Sequence, residues 1–309
     1  MRVDRATLWL FAILLLAAVW RFSDALPGRV GVRLDRLQPT ECWFEIPKGR
    51  VARCGYLEVP DHRDRGVTTN SHLAIAVFSP AGGATRSDPV LFLSGGPGGA
   101  FGFGDGKGWW WSWIDTVALQ HGREFVAMDQ RGVGRSWPRV DCPGLRVLEK
   151  RLLERDVHPD DEDRQWIEAI GMCRDRLLSE GVDLSIFGSA QSAADIETLR
   201  RALGVEQWNL YGISYGTRLA LTVARDHPAG VRSLVLDSVY PLALQTLVEG
   251  PGGLDFAFRM MWLPCESDPE CAAAHPAMRE SLERVVAKLN ERQVTVRLVH
   301  PDTLEKHLV

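Results

Sequence analysis

Residues 208–217, WNLYGISYGT, constrain the fold more than any other stretch of the chain. An apolar run breaks at Gly212-Ile213-Ser214-Tyr215-Gly216 and then takes on helical spacing, with Leu219, Val223 and Ala224 as its next apolar positions. A G-x-S-x-G break of this kind sets a serine on a sharp strand-to-helix turn, where small neighbours permit a strained backbone that projects the hydroxyl outward. Ser214 is therefore a candidate nucleophile. In a glycine-rich chain the five-residue pattern alone arises readily by chance, so its surroundings must decide.

Upstream, Pro89–Ser94 is an apolar run of the kind found in a central strand buried on both faces, and it ends in Gly95-Gly96-Pro97-Gly98-Gly99. A glycine cluster past a strand end exposes backbone N–H groups, which can bind a phosphate or stabilise the oxyanion of a tetrahedral intermediate. The phosphate reading fails in detail. Gly106-Lys107 is followed by Gly108 and has Phe101 where a P-loop glycine belongs, and the pair Gly132 and Gly134 meets Trp137 where a third glycine would stand. Trp109, Trp110, Trp111 and Trp113 follow. They either pack beneath the glycine loop or form an aromatic rim of a substrate pocket.

The remaining chain supplies a framework. Gly55–Pro60 and His72–Phe78 read as a hairpin, and Glu124–Asp129 as another buried strand ending in DQRGVGRS, residues 129–136. Within that motif Asp129 and Arg131 are expected to be structural, Asp129 by fixing a turn. The stretch Leu145–Leu178 is helical in spacing, with Trp166, Ile167, Ile170, Cys173 and Leu177 on one face. Ser192 and Asp195 have the form of a helix-starting pair, Ile196, Leu199 and Leu203 supply its apolar stripe, and Gly204 stops it. Val231–Asp237 is one more strand. This alternation predicts a doubly wound, mostly parallel α/β sheet with Ser214 past a strand's carboxyl end, where ligands bind in such folds.

A chain of 309 residues holds one large domain or two modest ones, and a net charge of −4 without a basic stripe disfavours a nucleic-acid partner. Leu8–Trp20 is apolar, follows Arg2 and Arg5, and precedes Ser23-Asp24-Ala25, so residues 1–25 are expected to be a secretory signal and the protein periplasmic or extracellular. An uncleaved membrane anchor is the alternative, but this run is shorter than the ~20 residues a spanning helix needs. Six cysteines suit an exported chain. They fall into the sequence-local pairs Cys42 with Cys54, Cys142 with Cys173, and Cys265 with Cys271, one of the several connectivities six cysteines allow. No C-x-x-C or Cys/His cluster has metal-ligand spacing, so neither metal nor cofactor is expected.

Together, Ser94–Gly99, residues 129–136 and Gly212–Thr217 resemble the α/β-hydrolase superfamily, and within it the secreted prolyl and tripeptidyl aminopeptidase group of serine peptidases. The resemblance runs from about Cys42 to about Cys271. It implies Ser214 as the acyl-forming nucleophile, the N–H groups of Tyr215, Gly95 and Gly96 as the oxyanion hole, and a peptide with a free N-terminus as substrate. Ser94 stands where many relatives have His or Asn, a change of little consequence if the donors are backbone groups.

The implied domains are a core over 26–248 and the start of a helical, substrate-recognising cap over 249–309. In the family the acid and base follow the cap, so the chain is expected to be C-terminally truncated, with its base missing and little peptidase activity. Asp237, at a strand end, is the substitute acid. His275, His300 and His307 follow it as surface histidines, and His227 suits a helix C-terminus. An esterase and a non-catalytic, peptide-binding chain are the alternative functions.

Overall fold

Seven strands line up in one sheet in the order β1-β2-β3-β5-β4-β6-β7 in the computed structural model, which describes residues 33–34, 36–63, 70–103, 110–155, 157–291, 297–299 and 306–308. The strands are β1 (Gln38–Thr40), β2 (Val51–Pro60), β3 (Asn70–Ser79), β4 (Val90–Leu93), β5 (Phe125–Met128), β6 (Trp208–Ile213) and β7 (Val231–Asp237). β1, β2, β3 and β5 pair antiparallel in turn, whereas β5, β4, β6 and β7 pair parallel. The segment read as a secretory signal lies outside the described residues. Among those residues no helix is long and apolar enough to cross a membrane.

The inner strands β3, β4, β5 and β6 are buried on both faces because they alternate between two apolar sets, whereas β1 and β7 at the edges are largely exposed. Leu73, Ile75 and Val77 of β3, Leu91 and Leu93 of β4, Val126 and Met128 of β5, and Trp208 and Leu210 of β6 join one core. Helices α4 (Ser189–Ala202) and α5 (Tyr215–Asp226) cover that core with Ile196, Leu199, Leu219 and Val223. The opposite face of β3 carries Ala74, Ala76 and Phe78, and the small alanines leave room for a layer of aromatic side chains. Phe44, Phe101, Phe103 and helix α1 (Trp110–Val117) fill it.

Two compact units divide the chain, the first comprising residues 1–139 and 185–241 and the second 140–184 and 242–309. The second is helical: α2 (Pro143–Leu153), α3 (Pro159–Ser179), α6 (Thr246–Ser267), α7 (Pro269–Ala274) and α8 (Met278–Glu291), with a small ladder of β8 (Arg297–Val299) on β9 (Lys306–Leu308). The helical spacing of 145–178 resolves into two helices because Pro159 can only open a new one, after His158, whose ring accepts the Asp160 N–H. Cys173 and Leu177 are buried, but Ile167 and Ile170 are exposed, so the buried stripe is narrower than the apolar spacing implies. Disulfides join Cys42 to Cys54, Cys142 to Cys173 and Cys265 to Cys271, the sequence-local pairing.

One helix start differs from expectation. α4 begins at Ser189 after Gly188, which places Ser192 and Asp195 inside the helix, both buried. Asp195 is held there by Arg131 and Arg63 rather than by orphan helix N–H groups.

Candidate active site

Ser214 stands between β6 and α5 with φ 54° and ψ −121°, a conformation that costs a non-glycine residue about 1–3 kcal/mol. Its surroundings enforce it. A Cβ at Gly216 would come 2.0 Å from the Leu93 carbonyl oxygen, and one at Gly212 would come 2.4 Å from the Gly216 carbonyl oxygen. Only glycines therefore let the turn close against β4. The Ser214 N–H donates to the Asp237 carbonyl at 2.9 Å, and the Ser214 carbonyl accepts from the Thr217 hydroxyl at 2.6 Å. The backbone is clamped while the side chain is exposed, and the hydroxyl has no hydrogen-bond partner among the described residues.

The glycine loop lies against this serine. A Cβ at Gly95 would stand 3.1 Å from the Ser214 Cβ and 3.6 Å from its Oγ, so the Gly95 backbone is the serine's immediate neighbour. Gly96 takes φ 113°, and the Gly99 N–H closes the loop onto the Gly95 carbonyl at 3.1 Å. Tyr215 is the first residue of α5, where an N–H has no intrahelical acceptor. The start of α5 and the Gly95 backbone thus stand beside one serine, an arrangement compatible with N–H donors to a developing oxyanion. The Tyr215 hydroxyl is bound to the Ser189 hydroxyl at 2.7 Å.

The 129–136 turn braces the loop. Asp129, fully buried, accepts the Phe101 N–H at 2.8 Å and the Arg135 N–H at 2.7 Å. Burial pushes its carboxyl above the usual range against the opposing pull of those two donors. Gln130 donates to the Ser94 carbonyl at 3.3 Å, and the Ser136 hydroxyl donates to the Asp129 carbonyl at 2.6 Å. Arg131 turns the other way: it holds Asp195 through two bonds of 2.6 and 2.8 Å and caps the Pro60 carbonyl at 2.7 Å. Arg63 adds a bond to Asp195, and Asp61 lies 3.6 Å from Arg131. The motif's charges are thus structural, one bracing the glycine loop and the other tying β2 to α4.

Asp237 ends β7 opposite Ile213. Its exposed carboxylate faces the Tyr211 hydroxyl at 3.5 Å and the Ser238 hydroxyl at 3.2 Å. Burial and the Asp237 charge together push the Tyr211 hydroxyl up. His227 caps the end of α5, His275 caps the end of α7 in the other unit, His300 lies outside the described residues, and His307 is in β9. Among the described residues no group of three or more His, Cys, Asp or Glu could hold a metal ion.

Beside the loop is a cavity of about 320 Å³ lined by Phe92, Phe101, Trp110, Trp113 and Ile213 together with the backbone of Gly95 and its neighbours. Trp111 is a buried core residue, Trp110 is buried and also lines the cavity, Trp113 is half-buried and lines it, and Trp109 lies outside the described residues, so the described tryptophans serve both roles open to the cluster. Sequence reasoning missed Gln130, Ser136 and Tyr211 as neighbours of the site. Gln130 and Ser136 at least sit inside the 129–136 motif, but Tyr211 carries no signal beyond its place immediately before Gly212.

The alpha/beta hydrolase fold family matches residues 88–296. The putative hydrolase YuaR of Escherichia coli K12 is 29% identical over 235 residues, covering 71% of this chain and 43% of that protein. The serine protease Hip1 of Mycobacterium tuberculosis H37Rv is 29% identical over 246 residues, covering 75% and 45%. The tripeptidyl aminopeptidase of Streptomyces lividans is 28% identical over 206 residues, covering 63% and 36%. The chain spans less than half the length of each of these curated relatives.

Proposed function

The chain belongs to the alpha/beta hydrolase fold family, and on that premise we propose that it is an exported serine hydrolase releasing N-terminal residues or short peptides. The observation that carries this reading is the clamped, positive-φ Ser214 with its exposed hydroxyl against the Gly95 backbone. The names of its relatives, a serine protease and a tripeptidyl aminopeptidase, support a peptide amide as the scissile group. Three disulfides suit an oxidising compartment, which supports export.

In the first step Ser214 Oγ bonds to the carbonyl carbon of the substrate's N-terminal portion. The carbonyl oxygen becomes an oxyanion beside the Tyr215 and Gly95–Gly96 N–H groups. The C–N bond then breaks, and the proton lost from Oγ ends on the departing amine. Water attacks the resulting ester, releasing the N-terminal acid and restoring the Ser214 hydroxyl. Asp237 is the carboxylate we assign as the available acid partner on this unit.

A fluorophosphonate probe and a set of unblocked peptide amides test the reading. Expected are labelling at Ser214 and a release of N-terminal residues that is slow, because no base is bonded to the hydroxyl among the described residues, both abolished in Ser214→Ala. Turnover or labelling that survives this substitution overturns the assignment.

A further inference from the structure

The cavity beside the glycine loop has a chemistry that the nucleophile alone does not specify. Gly95 and Ile213, two of its walls, are the neighbours of Ser214 on either side, one across the loop and one along the chain. Its other walls are aromatic. Phe92 meets Trp113 edge-on at 5.0 Å and Phe101 edge-on at 5.7 Å, and Phe101 lies 5.5 Å from Trp110. Among the described residues none that lines the cavity carries a charge, and the one side-chain hydroxyl among them, that of Ser94, belongs to a buried residue at the end of β4.

A charged group entering such a site would lose its hydration without gaining a partner from these walls, whereas an apolar group gains in proportion to the area it buries. Aromatic walls set edge-on to one another also leave flat faces for a ring or a branched chain to pack upon. Because the cavity is one residue away from Ser214, what fills it is the part of the substrate attached to the attacked carbonyl.

We propose that this cavity receives the uncharged apolar side chain, aromatic or branched aliphatic, of the residue whose carbonyl carbon Ser214 attacks. The proposal rests on the serine-hydrolase reading given above. Specificity then comes from exclusion as much as from fit: lysine, arginine, aspartate and glutamate side chains are rejected at this position, and alanine is accepted weakly because it leaves the walls unfilled. Ala100 is exposed and lines the cavity from the loop side, with its methyl close to Gly134, so a larger side chain there would narrow the cavity.

Two measurements test this. Saturation-transfer NMR of the Ser214→Ala chain with phenylalanine, leucine, alanine, lysine and glutamate amides reads binding without any reaction. Signal is expected on the phenylalanine ring and leucine methyls, with little on lysine or glutamate, and Ala100→Phe should remove it while Ala100→Leu weakens it. On the unmodified chain, kcat/KM for the corresponding N-terminal residues should favour phenylalanine and leucine over alanine by about 10- to 200-fold, the range one apolar group provides. In Ala100→Phe this preference should collapse, with the alanine substrate least affected. Equal binding of lysine and phenylalanine amides, or binding that Ala100→Phe leaves unchanged, overturns the proposal. Absence of turnover together with absence of Ser214 labelling overturns the serine-hydrolase reading instead, and the NMR comparison still decides what the cavity accepts.

Discussion

At Ser214 the fold spends conformational freedom to hold one hydroxyl. The two glycines of the turn are required for different reasons: Gly216 for β4 to pass close by, and Gly212 for the turn to fold back on itself. Gly216→Ala or Gly212→Ala should therefore destabilise the chain by more than about 3 kcal/mol, because each methyl meets backbone that cannot move aside. Urea midpoints would measure it, and fluorophosphonate labelling of Ser214 should fall in parallel. Gly171 is the contrast. It lies inside α3 with nothing within 4 Å of a Cβ, so Gly171→Ala should stabilise by about 0.5–1 kcal/mol on helix propensity alone. The sequence pattern announced the first pair, since G-x-S-x-G is itself a statement about backbone crowding. Nothing in the sequence separates Gly171 from a glycine that is needed, because empty space around a residue has no local signature.

At the level of elements, the central strands were legible because both-face burial leaves apolar runs, as in Val90–Leu93 and Phe125–Met128, whereas the short, exposed β1 left no such run. Ion pairs were not, because the partners are far apart in the chain. Asp195 looked like a helix-capping residue, yet its partner Arg131 is 64 positions away. Arg131→Met, which leaves Asp195 buried with the half-exposed Arg63, should cost about 3–5 kcal/mol, and the double change with Asp195→Leu should recover much of it.

Asp88 plays the corresponding part at the other end of the sheet. Just before β4, it binds Arg123 ahead of β5 at 3.0 Å, Asn209 of β6 at 3.2 Å and Arg232 of β7. Burial pushes its carboxyl up, but Arg123, Asn209 and Arg232 outweigh that and hold it below the usual range. A carboxylate depressed in the folded state adds stability that is present above its unfolded pKa, about 3.9, and is lost as pH falls through the lower folded value. Asp88→Asn should thus lower the urea midpoint at neutral pH and flatten its decline from about pH 4 downward; parallel acid limbs in the two proteins would count against this.

Over the whole molecule, the two units are stabilised by different means. The first has two continuous cores on either face of a seven-stranded sheet. In the second, α2 buries Leu148 and α3 buries Cys173 and Leu177, while Val147, Leu153, Ile167, Ile170 and Met172 are exposed. So small a buried stripe gives the Cys142–Cys173 disulfide a large share of the α2–α3 stability. By the chain-entropy model, closing that 31-residue separation contributes about 4 kcal/mol. Reduction should consequently act unevenly. In hydrogen exchange with dithiothreitol present, α2 and α3 should lose protection first, while β3, β4, β5 and β6 keep theirs, although Cys42–Cys54 in their own unit is reduced as well. The double variant Cys142→Ser, Cys173→Ser should reproduce the effect without reductant and leave Ser214 labelling intact, since β4, β6 and α5, which build the turn, lie wholly in the first unit. Simultaneous loss of protection in α3 and β5 would show instead that the chain melts as one cooperative body.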